Sequence, residues 1–340
     1  MHSSVPILLS RSIKGGFCFG LLVCLGLCAK SASAEVKGPY IPEPLQMRSE
    51  AIGQLFRTSP LAQRFKLLSA GDWSVMSSRT YANFWGHDKR YIVDTESRDD
   101  RLRIDSQPFD HWAFYGVLSE RAFTRMGTDG MAIGFHNMFG LPQDGRLDAP
   151  RNNTRLSIPD YDLNYSLAHK NNIISRQVEG GAVWDIGSRY DLVVPLTLGI
   201  FATHETADSN PYFTGNTDFG FRLGAALPFE NTALFGTLTF TLLDPAEEVV
   251  IPTFHSQWGG VVGGAYHVAE NHELVMQALI YQPMFQDMGQ LSRSSYEIHL
   301  AYRYQWEDVS FELGLVENIF WVYNSPDWGL SAGLTYRPEN

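Results

Sequence analysis

The chain has 340 residues, 44% of them hydrophobic and 19% charged, with 26 Lys and Arg against 37 Asp and Glu. It is too apolar to be disordered and too polar to be a polytopic helical membrane protein. Aromatic residues make up 13% of it and stand beside 30 Gly and 3 Cys, which favours many strands and turns and leaves no disulfide framework and no cysteine metal site.

The first 34 residues read as a secretory signal: basic Arg11 and Lys14, an apolar run from Phe17 to Cys28, then Ala32-Ser33-Ala34 as the cleavage site. The run is short of the ~20 residues that span a bilayer. Cys24 follows Val23 and Cys28 follows Leu27, not the small residue of a lipoprotein site. Removing 34 residues leaves 306 and takes away all three cysteines. The remaining 23 basic and 37 acidic residues give a formal charge of −14, which argues against nucleic acid as a partner. A thiol-free exported chain needs another closure, and a closed barrel supplies one.

Residues 35–70 hold three prolines before Arg48 and no sustained alternation, so they are either a periplasmic lead-in or a segment folded into a lumen. From about residue 72 the pattern becomes that of strands, predicted over 72–85, 90–104, 109–124, 176–186, 189–203, 216–228, 231–243, 254–268, 271–285, 293–306, 308–320 and 327–337. The clearest puts Tyr296, Ile298, Leu300, Tyr302, Tyr304 and Trp306 on one parity, with Glu297, His299 and Arg303 on the other. Tyr and Trp sit at the ends of the apolar face, where an outer-membrane barrel carries its girdles, and the even strand number fits. Glu270-Asn271, Gly187-Ser188 and Glu307-Asp308 read as tight periplasmic turns, and 204–215, 244–253, 286–292 and 321–326 as outer loops. Residues 125–175 form the longest insertion, with a short helix capped by Asp129 and stopped by Gly140 and Pro142.

Several strings resemble an uncharacterised family of bacterial outer-membrane β-barrels, a domain of unknown function. They are Asp129-Gly130, His136-Asn137-Met138-Phe139-Gly140-Leu141-Pro142, Gly145-Arg146, Pro150-Arg151, Glu317-Asn318 and Asn324-Ser325-Pro326-Asp327, with Gly38-Pro39 and Thr217-Asp218. The resemblance implies location and fold, and no residue inherits a catalytic role from it. Where that family ends in Tyr-Arg-Phe, this chain ends Tyr336-Arg337-Pro338-Glu339-Asn340.

No G-x-S-x-G string, phosphate loop or H-E-x-x-H occurs. His299, Glu297 and Arg303 share one interior stripe, which reads either as a base or proton-coupled gate or as a salt-bridged lumen network. His136 reads as a base or metal ligand, or as a hydrogen-bond donor that fixes the Gly140–Arg151 loop. The acidic residues Asp94, Glu96, Asp99 and Asp100 read either as a calcium site at an outer loop or near lipopolysaccharide phosphates or, since no EF-hand spacing surrounds them, as a solvated loop. Arg222, Arg303 and Arg337 opposite Glu297 and Glu312 would form a field across the pore or hold a plug.

The expected fold is all-β, a transmembrane antiparallel up-and-down barrel of about 12 strands (71–340) with one helical insertion, in the bacterial outer membrane. The expected function is a channel or binding protein for a small or amphipathic molecule, with the insertion as constriction or lid. The alternatives are a lipid-modifying enzyme and a structural or adhesion barrel. The binding or constriction residues expected are His136, Phe139, Arg146, Arg151, Arg222, Glu297, His299, Arg303, Glu312 and Arg337. No catalytic residue, metal ligand or cofactor is assigned. Expected partners are outer-membrane lipids, the barrel assembly machinery and an unidentified solute.

Overall fold

The computed structural model describes residues 42–57, 59–65, 67–143, 145–161, 163–166, 172–208, 215–244, 251–318 and 324–338. The signal peptide, Gly38-Pro39 and the three cysteines lie outside the described residues.

Twelve antiparallel strands form one closed wall. In chain order they are β1 (Trp73–His87), β2 (Ile92–Phe109), β3 (Trp112–Thr124), β6 (Asn172–Asp185), β7 (Leu196–Glu205), β8 (Thr217–Pro228), β9 (Thr232–Leu242), β10 (Ser256–Ala269), β11 (His272–Tyr281), β12 (Ser295–Trp306), β13 (Val309–Glu317) and β14 (Trp328–Tyr336). Each pairs with the next, and β1 closes on β14 from Val75 opposite Tyr336 to Asn83 opposite Trp328. Closure leaves no edge strand, which a chain crossing lipid requires.

Alternation decides which side chains face out. Along β12, Glu297, His299 and Ala301 are buried while Tyr302 is exposed. The outward positions include Ile200, Phe219, Leu238, Val262 and Leu313, all about half exposed or more. A continuous apolar belt of that kind would be insoluble in water and is stable against acyl chains. At the end of the wall with short turns, Trp73 packs on Tyr336 at 5.7 Å and Trp112 stacks on Trp184 at 5.9 Å. These rings form the girdle at that interface. His111 and Glu307 take left-handed φ values of 61° and 49° in its two-residue turns.

Three details differ from the sequence pattern. Gly187-Ser188 is not a two-residue turn but lies in a helical turn, Ile186–Arg189, capped by the Asp185 carboxylate on the Ser188 N–H at 2.8 Å. The following strand starts at Leu196, because Val193 stands 92% exposed and unpaired with the sheet. The insertion holds an extra hairpin, β4 (Arg155–Ile158) with β5 (Leu163–Ser166), that pairs with β2 at Ile92–Asp94. Four-residue strands are too short to show a period.

Candidate functional site

The lumen is filled by the chain's own residues 42–65, which run up from the turn end and come back down before β1. Near the turn end, Arg337 pairs with Glu43, and Arg303 donates to the Glu43 carbonyl at 3.3 Å. Higher up, the Leu45 N–H donates to Gln277 Oε1 at 3.0 Å, and Arg48 donates to Ser119 and Glu179 at 3.0 Å each. Ser49 Oγ and the Glu50 N–H donate to the Glu297 carboxylate.

At the loop end a single helical turn, α1 (Ile52–Phe56), turns the segment around. Ile52, Leu55 and Phe56 are no more than 2% exposed and pack among Phe84, Phe123, Met284, Phe285 and Met288. Burial of each such side chain contributes about 1.5–3 kcal/mol. The descending arm is held by a two-pronged Arg57–Asp218 pair, by the Gln63 N–H on Thr237 at 3.3 Å, and by Arg64 on Asp105 at 2.9 Å. Phe65 lies against Gly224, where an added Cβ would stand 2.8 Å from its ring. The glycine is the socket that lets the arm approach the wall.

The two halves of the lumen differ in chemistry. On β2, β3, β6 and β8 the wall carries Asp99, Arg101, Arg103, Asp105, Arg121, Glu179 and Arg222, all buried. These charges pair with one another: Arg121 meets Asp99 at 3.1 Å, with the Glu50 carboxyl 3.3 Å away, and Arg222 meets Glu179 at 2.5 Å. Opposite, β9 to β13 carry an apolar cluster, Phe235, Val261, Val275, Leu279 and Val316 around Leu45, Met47 and Phe65, set among inward polar residues such as Gln277, Glu297 and His299. Burial raises the Glu43 carboxyl, but the guanidinium groups of Arg337, Arg64 and Arg303 outweigh it and hold the group far below the usual carboxylate range. For Glu50 burial prevails over Arg121 and pushes the carboxyl up to about 8, with Asp99 and Glu297 adding to the shift.

The insertion attaches to the opposite face of the same wall. Asn83 points outward between the lumen-facing Ala82 and Phe84, and its Nδ2 donates to Asp129 at 2.8 Å and Thr128 at 3.1 Å. Those residues open helix α2 (Asp129–Phe139). Glu96, the outward neighbour of Asn83 on β2, accepts from the Met126, Gly127 and Thr128 N–H groups and the Thr128 hydroxyl. Arg146 pairs with Asp327 and donates to Asn83. The His136 ring contacts the Pro142 carbonyl at 2.8 Å and the Asp327 carbonyl at 3.4 Å.

These positions correct the expected constriction. His136 and Arg146 are buried between insertion and outer wall, while Phe139 is 45% exposed and Arg151 is exposed, so none of the four narrows the lumen. Arg222, Glu297, His299, Arg303, Glu312 and Arg337 do line it. His299 Nε2 meets Glu297 at 3.2 Å, whereas Arg303 turns instead to Glu273 and Glu312, at 2.5 and 2.8 Å. Glu297, Arg303 and Arg337 touch residues 43–50 directly, and Arg222 reaches Arg48 through the shared Glu179. The acidic residues 94–100 are not a solvated loop: all lie on β2, with Asp99 turned inward to Arg121 and Glu96 outward to the insertion. Among the described residues no three His, Cys, Asp or Glu side chains are grouped to hold a metal ion.

Residues 48, 50, 57 and 64 of the segment, and their partners Asp105, Glu179 and Asp218, were not singled out as lumen contacts. The alternation of Asp99, Arg101, Arg103 and Asp105 at every second residue was the available signal, since four inward charges on one strand need counter-groups inside. At the turn end the lumen retains a cavity of about 240 Å3, lined by Glu43, Arg64, His267, Arg303 and Arg337 among others.

The barrel has solved relatives in shape. It is similar to the COG4313 outer membrane channel from Pseudomonas putida F1, at 10% identity and a TM-score of 0.52 over 81% of this chain and 98% of that one. It is also similar to the KdgM porin (8% identity, TM-score 0.41, 78% and 99% covered) and to the Pseudomonas putida toluene transporter TodX (8%, 0.35, 88% and 99%). The first likeness shows a shared fold, that of an outer-membrane channel. No protein of curated function matches the sequence. A family model described as "Protein of unknown function (DUF3187)" matches residues 21–338, and the chain belongs to that family.

Proposed function

We propose that the protein is a channel of the bacterial outer membrane that passes a small amphipathic molecule and is closed at rest by residues 42–65. The carrying observation is the two-sided lumen. One side is densely charged and the other carries an apolar cluster beside Glu297 and His299, and the segment between them matches each, with Arg48, Arg57 and Arg64 toward the charges and Leu45, Met47 and Phe65 in the cluster. A solute with a polar and an apolar face would find the same complementarity once the segment moves. An unfilled strip of buried charge is costly, so the resting barrel keeps its lumen occupied.

The reading rests on outer-membrane insertion through the apolar belt, with outer-membrane lipids and the assembly machinery as the partners that insertion requires. It is tested in planar bilayers and by liposome uptake, comparing the wild type with Arg57→Ala. The expected result is low conductance in the wild type and frequent openings in the variant. Absence of conductance and uptake in both, from protein that shows heat-modifiable mobility, would overturn it. Among the described residues no constellation carries the enzyme alternative: Ser49 Oγ bonds Glu297 rather than His299, and all three are at most 1% exposed.

A further inference from the structure

The outer wall is not uniformly convex. Across β14, β1, β2, β3 and β6 it sinks into a groove of about 870 Å3. Two features produce the hollow. Small outward residues, Ser77 and Ala332, line its centre, and the pairing of β3 with β6 shifts register between Arg121 and Ala122, leaving Ile174 as a bulge. A bulge bends the strand that carries it.

The groove has two chemically distinct ends. Toward the turn end it is lined by Leu102, Leu118, Val178 and Leu334, each 40–54% exposed. Toward the loop end it runs into a ladder of outward charges: Arg79 on Asp100, Arg98 between Asp100 and Glu120, and Arg176 on Glu120. Three guanidinium groups meet two carboxylates, which leaves one positive charge. The side chains of Arg79 and Arg176 are about half exposed at either flank.

The height of this ladder identifies what meets it. Glu120 lies eight residues along β3 from the girdle residue Trp112. At about 3.4 Å per residue and a tilt of about 40°, that is roughly 20 Å up the barrel axis, close to the top of an apolar band about 25 Å tall. The charges therefore stand where acyl chains give way to headgroups, directly above an apolar trough.

We propose that this groove is a binding site for a phosphorylated glycolipid of the outer leaflet, an acyl chain lying along Leu102, Leu118, Val178 and Leu334 and a sugar phosphate bridging Arg79, Arg98 and Arg176. Guanidinium forks match phosphate oxygens, and desolvation by the trough strengthens the contact. The proposal rests on the outer-membrane reading above but is independent of conduction.

Its test uses the full chain purified in detergent, titrated with bis-phosphorylated lipid A and with the phosphate-free counterpart, binding being read by native mass spectrometry. The wild type is expected to prefer the phosphorylated lipid at least tenfold, and the triple variant Arg79→Gln, Arg98→Gln, Arg176→Gln is expected to lose that preference. Equal binding of the two lipids by the wild type would overturn the proposal. So would a dimer present in the wild type and lost in the variant, since the groove would then serve a second copy. Each sample is run unboiled and boiled: heat-modifiable mobility in an outer-membrane fraction shows that the barrel is in place, so equal binding of the two lipids by such wild-type protein counts against the groove alone.

Discussion

The luminal segment 42–65 and the insertion of residues 125–154 are both non-strand chain docked on β2, from opposite sides of it. Arg101 donates to the Gln46 carbonyl at 2.6 Å, Arg103 to the Gln46 side chain at 2.9 Å, and Asp105 receives Arg64. These odd positions face the lumen. Glu96, at an even position, holds the start of the insertion from outside. One strand, 18 residues long, thus supplies two separate anchor sets through its pleat alone. The comparison separates two roles: the inner segment decides whether the lumen is open, and the outer insertion braces the loop end of the wall.

That separation can be broken at either side. Arg57→Ala leaves the Asp218 carboxylate buried without its guanidinium, and loss of one partner of a buried pair costs about 3–5 kcal/mol. The segment should undock while the wall stays closed, seen as protease cleavage near residue 57 together with higher conductance. Glu96→Ala removes the acceptor of four donors, a loss of about 3 kcal/mol at hydrogen bonds to a charged group. It should expose residues 125–154 to protease with conductance unchanged. A conductance change of the size given by Arg57→Ala would show that the insertion gates the pore after all.

Smaller perturbations sharpen the account. Gly224→Ala puts a methyl group against Phe65 and Gln63 while leaving the segment's own sequence unchanged, and overpacking of this kind costs about 1–3 kcal/mol. It should raise open probability less than Arg57→Ala does. The pH dependence follows from Glu50, which faces Arg121, Asp99, Arg101 and Glu297. Its carboxyl titrates near the ordinary 4.5 when the segment is free and at about 8 when docked. Below 4.5 both forms are neutral and docking is at full strength. Between 4.5 and 8 the free segment gives up its proton while the docked one keeps it, so docking weakens as pH rises through that window. Open probability should climb over this range, and Glu50→Gln should flatten the rise.

The twelve wall strands were legible because each puts apolar residues on one parity, as in Tyr296 to Trp306, and the girdle rings marked the membrane. The luminal segment was legible only as one of two alternatives for residues 35–70. Residues 42–65 have no period, because each side chain answers a different point of a surrounding wall rather than one face of a sheet. The lumen positions read from the sequence were charged ones, whereas Phe235, Val261, Val275 and Leu279 also face inward. Apolar residues on both faces of β9 to β11 blur alternation, and only the segment's Leu45, Met47 and Phe65 explain them. The outward site of the insertion was hidden by Ala82-Asn83-Phe84-Trp85, where four consecutive buried residues erase the parity that assigns Asn83 to the outside. Of the two readings of His136, its contact with the Pro142 carbonyl fits the one in which it holds the following loop, but neither reading said which face of the wall that loop lies on.

The central claim is that residues 42–65 are the gate, and a reversible crosslink tests it most directly. The signal-cleaved chain is expected to have no cysteine, so Gln63→Cys with Gly224→Cys, where an added Cβ at 224 would stand 2.9 Å from Gln63 Cγ, introduces the one thiol pair into the Arg57→Ala background. The account predicts that oxidation closes this open variant and that reductant restores its conductance in the same bilayer. Conductance that stays the same in the oxidised and reduced states, with the crosslink verified by mass spectrometry, would contradict it.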